Sequence, residues 1–207
     1  MPEPFNPLGY SSLSKSLADA LMSAELVPLA GIGRFHGNGV YALFYTGAFT
    51  AYAPLAHQNR KDPGSFPIYI GKAAKASRKG AGEDFADGKT GTALYNRVAG
   101  DHRRSIEKAE NLDVADFSCR LLVLDSIWIP LAETALIAGY SPVWNSILDG
   151  FGNHDPGVGR SLGKASRWDV LHPGRGRETP APAPFTAEGL SDEVRRYLVE
   201  TMETRPV

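Results

Sequence analysis

Two short segments constrain this chain more than any others. Gly39-Val40-Tyr41 and Tyr69-Ile70-Gly71 each set one tyrosine inside an apolar run. Gly37-Asn38-Gly39 turns the chain into the first of them, a strand predicted from Val40 to Tyr45. Successive side chains of a strand point to opposite faces, so Tyr41, Leu43 and Tyr45 share one face and Val40, Ala42 and Phe44 the other. Tyr69 and Gly71 share a face of the second strand, predicted over residues 66–71. If the two strands pair, Tyr41 and Tyr69 project onto one face near each other.

The remaining elements follow from capping and periodicity. Ser11 or Ser12 can cap a helix to about Ala24, with Leu13, Leu17, Ala20 and Leu21 on one side. Residues 46–65 contain Pro54, Pro63 and Gly64 and read as a long connection, and 73–91 read as a loop. Thr92 can cap a helix to about Lys108. Phe117 to Leu124 reads as a third strand, and Pro130 suits the first turn of a short helix reaching Ala138. Residues 150–178 are glycine-rich without clear periodicity. Pro180, Pro182 and Pro184 form a stiff linker, and Ser191 caps a final amphipathic helix through Val194, Leu198 and Met202. The expected class is mixed α+β: a small antiparallel three-stranded sheet flanked by helices. It carries an N-terminal helix, long inserted loops and a C-terminal helix.

A chain of 207 residues with 43% hydrophobic content can bury one real core. Its single cysteine, Cys119, excludes an internal disulfide and a cysteine-rich zinc site. It sits in an apolar run, as an inert core residue in a reducing compartment would. No apolar run approaches a membrane span, and Met1-Pro2-Glu3-Pro4 lacks a signal-peptide pattern. Net charge is only −1, but the charge is segregated. Arg60, Lys61, Lys72, Lys75, Arg78 and Lys79 stand against Asp62 alone. Arg160, Lys164, Arg167, Arg175 and Arg177 stand against Asp155 and Asp169. Segregated basic loops are either ordinary solvated loops or the footprint of a polyanion ligand.

Glu133 is the one charge in Ile129-Pro130-Leu131-Ala132-Glu133-Thr134-Ala135-Leu136-Ile137-Ala138. A helix apolar all round is normally buried. A buried carboxylate costs several kcal/mol unless paired, protonated or metal-bound. Mg²⁺ would meet that need, since it commonly uses one or two carboxylates plus substrate phosphate. The alternatives are an exposed edge position or a pair with Arg97 or Arg120. A lone strand tyrosine is more often packing than chemistry. Beside a phosphate its phenol can donate a hydrogen bond, and beside a cation it can act as a base. Gly71 would let a phosphate or a backbone approach closely.

Taken in order, Gly39-Val40-Tyr41, Tyr69-Ile70-Gly71, Arg97, Glu133 and Asn145 resemble the pattern of the GIY-YIG nuclease superfamily. Trp144-Asn145 and the run from Asp149 through Asn153, His154 and Asp155 to Gly157 sharpen the likeness. They resemble the small type II restriction endonucleases of that superfamily that cut CCGCGG, the SacII specificity. The likeness spans roughly residues 38–177.

The resemblance implies a GIY-YIG-like core at 38–149 within one domain, 1–207. Residues 1–37 would be a helical extension, 150–178 a basic DNA-recognition segment, and 179–207 a linker and final helix. It implies Mg²⁺-dependent double-strand cleavage of DNA, with Mn²⁺ as a substitute. Tyr41 would position or deprotonate the attacking water, and Tyr69 would hold the scissile phosphate or its waters. Arg97 would neutralise charge on the phosphate. His102 would assist Tyr41 or the phosphate, Glu133 would bind the metal, and Asn145 would orient the phosphate or Glu133. In the family pattern the histidine follows the arginine by four residues; here Asp101 holds that place and His102 comes one later.

Phosphate contacts are expected from Lys72, Lys75, Arg78 and Lys79. Arginine pairs bidentately with guanine, so base reading falls to Arg160, Arg167, Arg175 and Arg177, with Asn153 and His154. A palindromic site implies a homodimer, with the N-terminal helix and residues 46–65 as candidate dimer elements. It also implies a cognate DNA methyltransferase in the same system, not as a bound partner, and a cytoplasmic, prokaryotic setting. Repair or homing nucleases of the superfamily, a non-catalytic DNA-binding module, and a metal hydrolase built on His154 and His172 are the other readings.

Overall fold

A computed structural model of the chain describes residues 10–74, 91–152, 165–175 and 183–204. Helix α1 spans Tyr10–Ser23 and is followed by the two-residue strand β1, Val27–Pro28. Strand β2 covers Gly39–Tyr45, helix α2 Ala53–Lys61 and strand β3 Tyr69–Ala73. After residue 91 come α3 (Ala93–Tyr95), a π-helical turn over Asn96–His102, and α4 (Arg103–Lys108). Strand β4 is Phe117–Val123, followed by α5 (Ile129–Tyr140) and α6 (Val143–Ser146). Helices α7 (Arg167–Leu171) and α8 (Ala187–Glu203) complete the described elements.

The sheet is antiparallel throughout, in the order β1-β4-β2-β3. The expected three strands are therefore joined by a fourth, short one, β1 on the far edge of β4. Every residue of β2 is buried, because helices cover both sides of it. Val40, Ala42 and Phe44 meet Leu17 and Leu21 of α1 and Ile129, Ala132 and Leu136 of α5. Tyr41, Leu43 and Tyr45 meet Leu94, Val98, Ile106, Trp144, Phe151, Trp168 and the α8 residues Leu190, Val194 and Leu198. The two-sided alternation read from the sequence is thus the alternation of two cores across one strand.

Several expectations shift. Residues 46–65 are not a structureless connection: α2 lies inside them, with Pro54 in its first turn, where a missing N–H costs nothing. Ala20 is exposed, while Ala18 and Met22 pack with Leu17 and Leu21. Helix α1 spends its apolar side on α5 within the chain. Helix α7 falls where no periodicity was visible. Its signal is the local sequence Ser166-x-x-Asp169, in which Ser166 Oγ accepts from the Asp169 N–H at 3.2 Å. Helix α8 starts before Ser191, capped by Thr186, whose Oγ1 accepts from the Gly189 N–H at 3.1 Å. Helix α5 is not enclosed all round, for Pro130, Thr134, Ala138 and Gly139 are exposed. Thr92 precedes its helix without capping it; its hydroxyl accepts from Asn96 Nδ2 at 3.2 Å. Among the described residues, no helix is long and apolar enough to cross a membrane.

Candidate active site

Register brings the two tyrosine segments together. Tyr41 lies opposite Gly71 in the β2–β3 ladder, and Leu43 lies opposite Tyr69. A Cβ on Gly71 would sit 2.6 Å from Tyr41 Cζ and 2.9 Å from Tyr69 Cε1, and against Tyr41 Oη. The close approach at Gly71 is therefore made by the Tyr41 phenol, lying across the neighbouring strand, rather than by a phosphate or a backbone. The two rings are 6.1 Å apart, centre to centre.

The helix after residue 91 supplies the next two groups. Five residues separate Arg97 from His102, which in a regular α-helix would turn them about 140° apart. The π-helical turn between them absorbs the extra residue. Both side chains then reach Tyr41. Its hydroxyl hydrogen-bonds His102 Nε2, and Arg97 and Tyr69 act on the same hydroxyl. Arg97 also pairs with Asp101 at 3.2 Å and donates to the Gly152 carbonyl. Asp101, in the place of the family histidine, thus braces the arginine, and His102 takes the contact with Tyr41.

Electrostatically the phenols are held neutral. Burial raises Tyr41 well above the usual phenol range; Tyr69 adds to the rise and Arg97 opposes it. Tyr41 is 0% exposed, so burial outweighs the nearby guanidinium. Tyr69 is raised by burial too, again opposed by Arg97 and reinforced by Glu133.

Glu133 comes from α5, on the other side of β3, and its Oε2 lies 2.6 Å from Lys72 Nζ. Its partner is therefore Lys72, not Arg97 or Arg120. Arg120 donates instead to the carbonyls of Ala24 and Pro63, the latter at 3.3 Å. The pair is open to solvent, with Lys72 46% and Glu133 22% exposed. A carboxylate that already holds a cation on an open face has the donor chemistry for a hard metal ion that takes its other ligands from water and phosphate. Among the described residues no group of three or more His, Cys, Asp or Glu side chains is placed to hold a metal.

Asn145 was expected on the phosphate or on Glu133. Its amide instead closes on the outer edge of β3. Oδ1 accepts from the Ile70 N–H at 2.8 Å and Nδ2 donates to the Ile70 carbonyl at 2.8 Å. An edge strand leaves such groups without a ladder partner, so Asn145 fixes the strand that carries Tyr69, Gly71 and Lys72.

Two of the base-reading candidates are committed elsewhere. Arg167 pairs with Glu193 of α8 at 2.5 Å and lies over the Phe185 ring at 5.5 Å. Arg175 is only 5% exposed and pairs with Asp169 at 2.6 Å. The buried Arg175 guanidinium needs such partners to offset its desolvation, while Arg167 is partly exposed and its Nε and Nη2 make no hydrogen bond among the described residues despite the Glu193 contact. His172, a weak metal candidate, is buried between Tyr52 Oη at 2.5 Å and Asn111 Oδ1 at 2.8 Å. Burial, helped by Arg175, lowers its pKa to about 3. Cys119 is buried, and burial pushes its thiol up to about 12. Lys75, Arg78, Lys79, Asn153, His154, Arg160 and Arg177 lie outside the described residues, as do Pro180 and Pro182.

Sequence reasoning missed Phe151 and Gly152. The Phe151 ring stacks on His102 at 4.6 Å and 16° and meets the Tyr69 ring edge-on at 5.0 Å. A Cβ on Gly152 would lie 2.6 Å from Tyr69 Oη and 3.4 Å from Arg97 Nη2. Their only sequence signal was membership of the Asp149–Gly157 run.

A family model described as "Eco29kI GIY-YIG domain" matches residues 33–198. The match covers both tyrosine segments, the Arg97–His102 turn, Glu133 and the segment through α7. No curated protein matches the chain.

Proposed function

The chain belongs to the Eco29kI GIY-YIG domain family, a restriction endonuclease family, and from that premise we propose that it hydrolyses both strands of DNA at one short GC-rich palindrome. CCGCGG is the sequence suggested by its resemblance. The observation that carries the catalytic reading is the convergence of Tyr41, Tyr69, Arg97 and His102 on one hydroxyl cluster, with Glu133 paired to Lys72 of the strand that carries Tyr69.

The partly exposed groups, Tyr69, Arg97, Lys72 and Glu133, face the substrate. Arg97 is held over Tyr41 by Asp101 and the Gly152 carbonyl. A charged phosphate oxygen is a stronger partner than a carbonyl, so the guanidinium turns to the scissile phosphate and uncovers Tyr41. Tyr41 starts as a neutral phenol, because burial holds it so. It takes a proton from the attacking water as its own proton passes to His102 Nε2. The water oxygen bonds to phosphorus, and the bond to the leaving sugar oxygen breaks, that oxygen taking a proton from solvent. Tyr69 donates to a non-bridging oxygen, and Lys72 exchanges Glu133 for phosphate. Glu133 would then hold Mg²⁺, which when bound supplies charge stabilisation at the phosphate and the leaving oxygen. A palindrome cut on both strands calls for two copies related by a two-fold axis, and a cognate methyltransferase would protect host sites. Residues 1–207 act as one domain in this reading.

Plasmid DNA of known sequence, incubated with Mg²⁺ or Mn²⁺, should give fragments whose ends map to one palindrome. DNA left whole with either metal sinks the nuclease reading. Glu133→Gln should lower the cleavage rate about 10²–10³-fold, the range for losing one transition-state charge contact, and still bind DNA. Full-rate cutting by this variant removes Glu133 from the metal role.

A further inference from the structure

Arg175 lies outside the sequence core that carries the catalytic groups, yet its guanidinium is built into the wall behind them. Nε donates to Asp169 Oδ1 at 2.7 Å, Nη1 to the Phe151 carbonyl at 3.2 Å, and Nη2 to the Gly150 carbonyl at 3.1 Å. Its plane lies over the Trp168 ring, 4.2 Å from the centroid. Trp168 in turn packs on Phe151 at 5.3 Å. One guanidinium thus fixes the Gly150–Phe151 backbone by two carbonyls and fixes the ring layer against which the Phe151 side chain rests.

Phe151 transmits that constraint. Its near-parallel stacking on His102 sets the plane of the imidazole. His102 closes a π-helical turn, which interrupts the regular α-helical spacing that would otherwise set the direction of its side chain. Helix geometry alone therefore does not hold the ring, and Nε2 must still point at Tyr41 Oη. Trp144, 4.4 Å from Phe151 on another side, closes the stack.

We propose that Arg175 is a positioning residue for the His102–Tyr41 pair, acting through the Phe151 backbone and ring, and not a reader of bases. The proposal rests on the reading of Tyr41 and His102 as the proton path. It differs from the guanine-contact role the sequence suggests for Arg175, and the two make opposite demands on a variant.

Arg175→Met and Asp169→Asn are compared with the parent in three measurements. The first is ¹⁵N-histidine NMR of the DNA-free protein, with His102 assigned by His102→Gln. Both variants should shift the His102 ring nitrogens, because Nε2 no longer meets Tyr41 in one geometry. The second is single-turnover cleavage at saturating DNA, expected to fall about 10²-fold, the cost of a misplacement near 1 Å. The third is DNA affinity in a Glu133→Gln background, expected to change less than threefold. Phe151→Leu should reproduce the rate loss, and Phe151→Tyr should recover at least tenfold of it. Asp169→Asn keeps the arginine and weakens its anchor, so it answers for Arg175 if the methionine variant does not fold. Weakened affinity or relaxed site choice with a normal saturating rate would make Arg175 a base reader and overturn the proposal. Unmoved His102 resonances would overturn it as well. If the parent protein cuts no DNA, the nuclease reading fails, while the NMR arm still decides whether Arg175 orients His102.

Discussion

Gly71→Ala tests the central geometric claim, that the β3 glycine exists to admit the Tyr41 phenol. The added methyl would stand 2.6 Å from Tyr41 Cζ and 2.9 Å from Tyr69 Cε1. Ordinary carbon contacts lie near 3.5–4.0 Å, so one partner must retreat by roughly 1 Å. Neither retreats freely. Tyr41 is fully buried and tied to His102, and Tyr69 is wedged between Phe151 and Gly152. Overpacking of this kind costs about 1–3 kcal/mol, which in a chain this long lowers the melting midpoint by roughly 2–4 °C per kcal/mol. A displacement near 1 Å at a reacting group costs about 10² in rate. Gly139→Ala is the control, since its Cβ would meet nothing within 4 Å. That residue lies in the last turn of α5, where alanine should stabilise by about 0.5–1 kcal/mol. Thermal melts and single-turnover cleavage of both variants make the comparison. If Gly71→Ala melts and cuts like the parent, the register-based explanation of the glycine is wrong.

Two further outcomes follow from buried polar contacts. Folded His172 stays neutral down to about pH 3, while in the unfolded chain it takes a proton near pH 6.5. Unfolding therefore binds a proton between those values, and stability should fall by about 1.4 kcal/mol per unit as pH drops below 6.5. Denaturant titrations from pH 6.5 to 4.5 should show a shallower loss in His172→Gln; parallel slopes in the two proteins count against the assignment. Asn145→Ala should cost about 1–3 kcal/mol, because it strips both hydrogen bonds from the Ile70 peptide. Slower cleavage with unchanged denaturant stability would instead place Asn145 on the phosphate.

How far the sequence could be read depended on how local each signal was. The two tyrosine strands were legible because a two-residue period is written into six consecutive residues. Their pairing is only a condition in the sequence, and the structure supplies both the pairing and the register. The caps of α7 and α8 were equally local, but Ser166-x-x-Asp169 sat among glycines, and Thr186 was overshadowed by Ser191. Glu133 was singled out for a reason that does not hold: α5 exposes one side, and the carboxylate is paired across it. No pattern in either segment could announce that Lys72 is the partner, because that contact depends on how α5 crosses β3.

The histidine spacing shows where a one-dimensional pattern loses its physical content. Four residues between arginine and histidine mean one α-helical turn, and that is why such a spacing recurs on a helix face. Five residues mean a different face only while the helix stays regular. The π-helical turn keeps Arg97 and His102 both at Tyr41, and the residue it makes room for, Asp101, braces Arg97. The irregular turn leaves the orientation of the imidazole to an outside support. Phe151, Trp168 and Arg175 supply one from a segment where the sequence suggested only DNA contacts. An arginine count in that segment therefore overstates its capacity to read bases. Two of its arginines already hold protein, and one of those two stands behind the imidazole that meets Tyr41.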